Sequence, residues 1–239
     1  MTDLIALKAA NVSRWASVVL TRNFTPVARA LVAAEARQRY QAVSAETGVP
    51  WCFVAVAHER EASQNWKTQL GQGDPLDRVS VHDPAGRGPF RSWEEGAIDA
   101  LTNCHPYAAR NRDWTIGGTL TLLERYNGLG YASRGVPSPY LWSGTDQYKS
   151  GKYVRDGVFD PNAVDQQLGC AGLLTAMMAL DPTITFTGTT ISAPSLRPAR
   201  KPPPVPKSPS VTNPSKGSIG AAVASVLSAI LSAFKRKWP

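Results

Sequence analysis

The spacing of apolar residues along the chain predicts a series of helices interrupted by one stretch of a different kind. Thr25-Pro26 supplies an N-cap and a first-turn proline for a helix that runs through Val27, Leu31 and an Ala-rich stretch to about Glu46, with Gly48 as its stop. The apolar run Trp51 to Ala57 follows almost at once and begins a second helix. From Leu70 to Phe90 the chain is rich in Gly and Pro, and the short alternation Asp77-Arg78-Val79-Ser80-Val81-His82 predicts a loop with a small β-hairpin. Ser92 with Glu95 three residues later reads as a capping box for a helix through Ala97, Leu101 and Cys104. Asp113 caps the next, through Ile116, Leu120 and Leu123 to about Asn127, where Gly128 ends it. Asp160-Pro161 starts a last long helix carrying Val164, Leu168 and Leu174 to Leu180, before Asp181-Pro182 stops it. Residues 1–186 therefore read as one mainly α domain with a small β-hairpin.

The pattern changes beyond that point. Residues 187–218 are dominated by Pro, Ser, Thr, Lys and Arg, and Lys201-Pro202-Pro203-Pro204-Val205-Pro206 predicts an extended polyproline spacer. Ile219 to Phe234 is an uncharged apolar run closed by Lys235-Arg236-Lys237-Trp238, so residues 219–239 read as a basic, membrane-seeking helix. At about 1.5 Å per residue the run spans roughly 24 Å, short of a hydrocarbon core of roughly 30 Å, which leaves an interfacial helix and a short span both open.

Composition sharpens this division. The 239 residues carry a formal net charge of +8, yet residues 1–186 are balanced and residues 187–239 hold 8 basic and no acidic residues. A nucleic-acid-binding domain would need its basic patch on the globular part, so nucleic acid is excluded as a partner. A basic tail suits an anionic membrane surface instead. Cys52, Cys104 and Cys170 are widely spaced without a CxxC and read as small buried apolar residues. His58, His82 and His105 lie far apart with no HExxH, so no metal site and no cofactor is expected. The N-terminus, Met-Thr-Asp-Leu-Ile-Ala-Leu-Lys, lacks an apolar signal-peptide core, so no cleaved export signal is expected.

The chemistry concentrates in His58-Glu59-Arg60-Glu61-Ala62-Ser63-Gln64-Asn65-Trp66, directly after the apolar helix. At about 100° per residue Val54, His58, Glu61 and Asn65 fall within roughly 60° of one another, whereas Glu59 points to nearly the opposite side. A carboxyl that continues an apolar face loses hydration, which raises its pKa and lets it hold a proton near neutrality. Glu61 is accordingly the candidate general acid.

Downstream stand Gly71-Gln72-Gly73-Asp74-Pro75-Leu76, Ser92-Trp93-Glu94-Glu95, Tyr126-Asn127-Gly128-Leu129-Gly130-Tyr131 and Pro139-Tyr140-Leu141-Trp142-Ser143-Gly144. With the Glu61 segment, this succession resembles lysozyme-like peptidoglycan-degrading proteins of bacteria and their phages over roughly Trp51 to Leu180. The chain departs from that pattern at Gln72, Trp66 and Gly96, where the family has Asn, Phe and Ser or Ala. The resemblance implies an α+β lysozyme-like fold with a substrate cleft, a β element facing the catalytic helix, and glycan strands of peptidoglycan as the substrate. It further implies a monomeric endolysin, made in the host bacterial cytoplasm and acting at the cell wall or periplasm.

Glycosidic cleavage needs a proton for the leaving oxygen and a group that manages the oxocarbenium-like charge. Asp74, set in a turn by Gly71, Gly73 and Pro75, is the candidate second carboxylate. If it is only a turn residue, a lytic transglycosylase route needing one acid remains open, as does an inert peptidoglycan-binding or envelope-anchoring protein. Sugar binding calls for aromatic faces and polar rims. Tyr126, Asn127, Tyr131, Tyr140 and Trp142, with His58 and Asn65 beside the acid, are the candidate substrate contacts.

Overall fold

The computed structural model describes residues 2–187, so residues 188–239, which carry the linker and apolar tail helix of the sequence reading, lie outside the described residues. Nine α-helices and one two-stranded antiparallel hairpin make up the described fold, with a 3-10 turn at Ala108–Arg110: α1 Leu4–Ser17, α2 Thr25–Val32, α3 Ala34–Thr47, α4 Trp51–Ala62, α5 Trp93–Asn103, α6 Ile116–Asn127, α7 Gly130–Ser133, α8 Pro139–Trp142, β1 Lys152–Arg155, β2 Val158–Asp160 and α9 Cys170–Leu180. The mainly α reading of residues 1–186 holds in that form.

The core is built around α4. An apolar run without a polar stripe has no face to offer water, and every residue from Cys52 to Glu59 is buried. α3 packs on α4 and α5, α2 on α9, and α1 on α6. The α2–α9 contact depends on Gly172, because a Cβ there would stand 2.3 Å from two atoms of the Phe24 ring. All three cysteines are buried and none forms a disulfide.

Several elements differ from the sequence reading. The helix expected from Thr25 to Glu46 breaks at Ala33, whose ψ of 141° turns the chain so that Leu31 serves the α9 side while Tyr40 and Val43 serve the α4 side. Its N-cap is Phe24 rather than Thr25, and Asn23 Oδ1 accepts from the Thr25 amide at 3.1 Å. α6 is capped by Thr115, whose hydroxyl accepts from the Gly118 amide at 3.1 Å, while Asp113 holds Thr115 itself. Ser92 caps α5 as expected, but Glu95 reaches back to the Arg91 amide.

The small hairpin is not at Asp77–His82. That segment is a loop, with Val79 and Val81 exposed and without a strand partner. The alternation there had no core to face. The hairpin is instead β1–β2, closed by Asp156-Gly157 with Gly157 at φ 69°, the Asp-Gly pair that hairpin turns favour. The long helix expected from Asp160 starts only at Cys170, because Asp165 is drawn inward by side chains and residues 161–169 run irregularly around it.

The α1–α6 interface contains a buried polar cluster. Asn11 Nδ2 donates to Thr121 Oγ1 and Glu124 Oε2, both at 3.4 Å, and Glu124 is 2% exposed. Burial raises the Glu124 carboxyl to about 7, against smaller lowering effects of Asn11 and Arg14. An acid raised on folding contributes its full stability below its ordinary value and loses it as the pH climbs through the folded value. Between pH 5 and pH 8 the chain should therefore lose about 3 kcal/mol from this group. Urea unfolding across that range should show a decline that Glu124→Gln largely flattens, and an unchanged slope would place the carboxyl outside this linkage.

Candidate active site

α4 ends in an unusual turn. Ser63 (φ 49°) and Gln64 (φ 57°) are consecutive left-handed residues that are not glycine, a conformation that costs on the order of 1–3 kcal/mol each and collects at functional sites. Side chains hold it in place. The Ser63 amide donates to the Glu59 carbonyl at 2.9 Å, Gln64 Nε2 donates to Glu59 Oε2 at 2.8 Å, and Gln167 Nε2 donates to the carbonyls of Glu59 and Arg60, both at 3.1 Å. Glu59 is buried rather than solvated, and burial raises its pKa, with the Gln64 hydrogen bond and Arg60 opposing. The helical wheel assigned Glu59 to an outer side, but α4 is enclosed all round and has none.

Glu61 is half-buried, and its Oε1 accepts a hydrogen bond from the Tyr140 hydroxyl at 3.0 Å. Burial and the nearby Glu61 carboxylate together hold the phenols of both Tyr126 and Tyr140 well above their usual range, which places the two rings beside the acid. Between the two glutamates, Arg60 turns inward. Its Nη2 donates to Asp165 Oδ2 at 2.8 Å, its Nη1 donates to the Leu168 carbonyl at 3.3 Å, and its guanidinium lies 4.9 Å from the Tyr140 ring centroid. Lys152 of β1 donates to the other Asp165 oxygen at 3.0 Å. Burial alone would push the Asp165 carboxyl up, but Arg60 and Lys152 outweigh it and hold the group below its ordinary value. The Asp165 amide donates to Tyr148 Oη at 3.1 Å and its carbonyl accepts from Ser143 Oγ at 2.8 Å, so its polar groups are thoroughly satisfied. One buried ion pair thus fixes the hairpin and the α8–α9 segment against the end of α4.

The structure revises the proposed sugar contacts. His58, Tyr126, Tyr131, Tyr140 and Trp142 are all at most 4% exposed and form the packed floor of the site rather than ring faces open to a glycan. His58 Nε2 donates to the Asn65 carbonyl at 3.2 Å, so its Nδ1 accepts from the Tyr40 hydroxyl at 3.1 Å. Burial lowers its pKa to about 4, which keeps the ring neutral. It clamps the turn after Glu61 among Trp66 and Trp93. Tyr131 Oη accepts from the Tyr153 amide at 3.1 Å and so braces the hairpin. Asn65 is exposed and Asn127 half-buried, and these two remain open to a ligand.

Asp74 is buried, with its carboxylate already engaged. Oδ2 accepts from the amides of Val81 and His82 at 3.0 and 3.1 Å, and Oδ1 lies 2.6 Å from His82 Nδ1. Burial raises its pKa, but the His82 amide and ring and the Val81 amide outweigh burial and keep it ionised. It does not present a carboxylate directly to a substrate. Sequence reasoning passed over Arg60, Gln167 and Asp165, whose roles come from segments distant in the chain. Arg60 alone carried a signal, as a cation at the inner end of an apolar run.

No protein-family model, no curated protein and no solved structure matches the chain. Among the described residues, no group of His, Cys, Asp and Glu is arranged to hold a metal ion, and no helix is long and apolar enough to cross a membrane.

Removing one member of a buried ion pair leaves an uncompensated charge and costs about 3–5 kcal/mol. Arg60→Met or Asp165→Asn should each lower unfolding stability by that amount in urea titrations, whereas Lys8→Met, which breaks the exposed pair with Asp113, should cost under about 1 kcal/mol. Equal costs would show that burial does not set the weight of the Arg60 pair.

Proposed function

We propose that residues 1–186 form a domain that cleaves the glycan strands of peptidoglycan, with Glu61 as the general acid. The observation that carries the proposal is the setting of Glu61. It sits half-buried near the end of a helix whose residues Cys52 to Glu59 are all buried, one oxygen receives the Tyr140 hydroxyl at 3.0 Å, and Ser63 and Gln64 just after it adopt a costly left-handed turn. A carboxyl held in this way, once it carries a proton, has a fixed direction for giving it to a glycosidic oxygen. The order of motifs from Glu61 to Trp142, which resembles lysozyme-like lytic proteins, supports the same chemistry.

The basic excess of residues 187–239 supports a role for the tail at anionic envelope or membrane surfaces. A phage endolysin, or its equivalent in a bacterial chromosome, is the context that joins these two parts. It would be made in the bacterial cytoplasm and act as a monomer on the cell wall.

The test is release of soluble muropeptides from purified sacculi. Glu61→Gln removes the transferable proton while keeping the shape of the side chain and an acceptor for Tyr140. It should abolish release with the melting temperature within a few degrees of the parent, and release at the parental rate would defeat the assignment. Tyr140→Phe keeps the ring under Arg60 but removes the hydrogen bond, and should slow release by about tenfold, equivalent to about 1.4 kcal/mol of barrier.

A further inference from the structure

We infer that His82, held by Asp74, is the group that accepts the proton of the attacking water, so that the glycan is hydrolysed rather than closed on itself. The inference rests on the glycan-cleaving reading of Glu61.

The arrangement is more specific than a loop staple requires. Two amides, of Val81 and His82, already fix the loop on Asp74 Oδ2. The third bond spends the other oxygen on His82 Nδ1 at 2.6 Å, and a carboxylate there requires the Nδ1–H tautomer. The Nε2 lone pair is then the basic site. The imidazole side chain is 40% exposed while the Asp74 side chain is 8% exposed, and Nε2 has no protein partner among the described residues. A buried carboxylate that orients a partly open imidazole is the arrangement by which a base is held in one tautomer and its imidazolium stabilised. Asp74 is thus a positioning residue acting through His82. Neither of the other two histidines is set this way, since His58 is buried with both ring nitrogens engaged and His105 is paired edge-on with Tyr107.

The loop that carries the pair is rigid and stands at the right end of the fold. Gln69 Nε2 donates to the carbonyls of Pro75 and Arg78, Gln72 and Ser80 both donate to the Pro84 carbonyl, and the Arg87 amide donates to Ser80 Oγ. Arg87 also pairs with Asp99 of α5. The loop is also tied by backbone to the chain that leaves the Glu61 turn: the Thr68 amide donates to the Asn65 carbonyl at 3.3 Å, the Gln69 amide to the Asp74 carbonyl at 2.7 Å and the Leu76 amide to the Lys67 carbonyl at 3.1 Å. Asp74 is therefore anchored on the segment that directly follows α4.

The step balances as a hydrolysis. Water oxygen forms a bond to the anomeric carbon and gives its proton to His82 Nε2. The bond from that carbon to the glycosidic oxygen breaks, its electron pair stays on the oxygen, and the oxygen takes the proton of Glu61. The resulting imidazolium faces the Asp74 carboxylate, and it returns a proton to the Glu61 carboxylate through solvent.

The experiment uses the full chain on purified sacculi, with mass analysis of the product ends. The parent should leave reducing ends, and His82→Ala should lose at least about 100-fold in rate, the usual scale for a lost base, with an unchanged melting temperature and a rate restored in proportion to added imidazole. Asp74→Asn should lose activity on the same scale, and its loss should not add to that of His82→Ala in the double variant. Full activity of His82→Ala, or a loss that imidazole does not restore, would overturn the inference, and His82→Gln guards against a folding defect in the smaller variant. 1,6-anhydro ends from the parent would overturn it too while sparing the role of Glu61, whereas a parent that releases nothing would remove the glycan-cleaving reading itself.

Discussion

The ion pair between Arg60 and Asp165 is the constraint on which the site depends. A guanidinium inside a protein is tolerable only when its charge and its donors are met, and here one carboxylate, one carbonyl and one aromatic ring meet them. Satisfying Arg60 obliges residues 161–169 to leave helical geometry and run inward, which brings Gln167 onto the last carbonyls of α4 and Asp165 within reach of Lys152. The hairpin, α8 and α9 are thereby set against the helix that ends in Glu61. Such a pair adds little net stability over an apolar packing of equal volume, so its value lies in geometry: it defines one position for several segments at once.

Two sides can be distinguished around the end of α4. On one, the hairpin and α8 are held through Asp165. On the other, the loop from Gln69 to Arg87 is held through Asp74, Ser80 and the Arg87–Asp99 pair. The aromatic residues between them fill the floor, and their hydroxyls are spent on structure, as Tyr131 on the hairpin amide and Tyr140 on Glu61. The chemistry left accessible is polar and titratable: Glu61, Asn65, Asn127 and the His82 ring.

The parts of this arrangement that could be seen in the sequence are those encoded by neighbours in the chain. Apolar runs, caps and glycine stops located α3 through α6 and α9 to within a few residues at one end or both, because local hydrogen bonding and a buried face act over one or two turns. The residue pattern also placed Glu61 near the end of a buried helix, where the structure has it half-buried. What failed was reasoning that needed to know the surroundings. Alternation at Asp77–His82 suggested strands, but a strand needs a partner and a core to face, and the segment instead makes scattered bonds to Gln69, Asp74, Pro84 and Arg87. The true hairpin signal, Asp156-Gly157 between Lys152-Tyr153-Val154-Arg155 and Val158-Phe159-Asp160, was present but is short and lacks a clean apolar alternation. Asp165 was expected on a helix, since nothing near it in the chain announces a cation 105 residues away. The aromatics were expected in the cleft because composition cannot tell a ring that lines a groove from one that lies beneath it.

If the Arg60–Asp165 pair serves geometry more than stability, the two roles can be separated. Replacing both members together, as Arg60→Met with Asp165→Leu, removes the two buried charges and leaves only Lys152, whose side chain is 20% exposed and can turn its ammonium to water, so unfolding stability in urea should stay within about 1–2 kcal/mol of the parent. The decisive quantity is the rate at which that folded double variant solubilises purified sacculi. A loss of tenfold or more, with stability retained, is the result expected if the pair positions the surroundings of Glu61. A double variant as active as the parent would contradict it, and would show that Glu61 and its neighbours find their places without the buried pair.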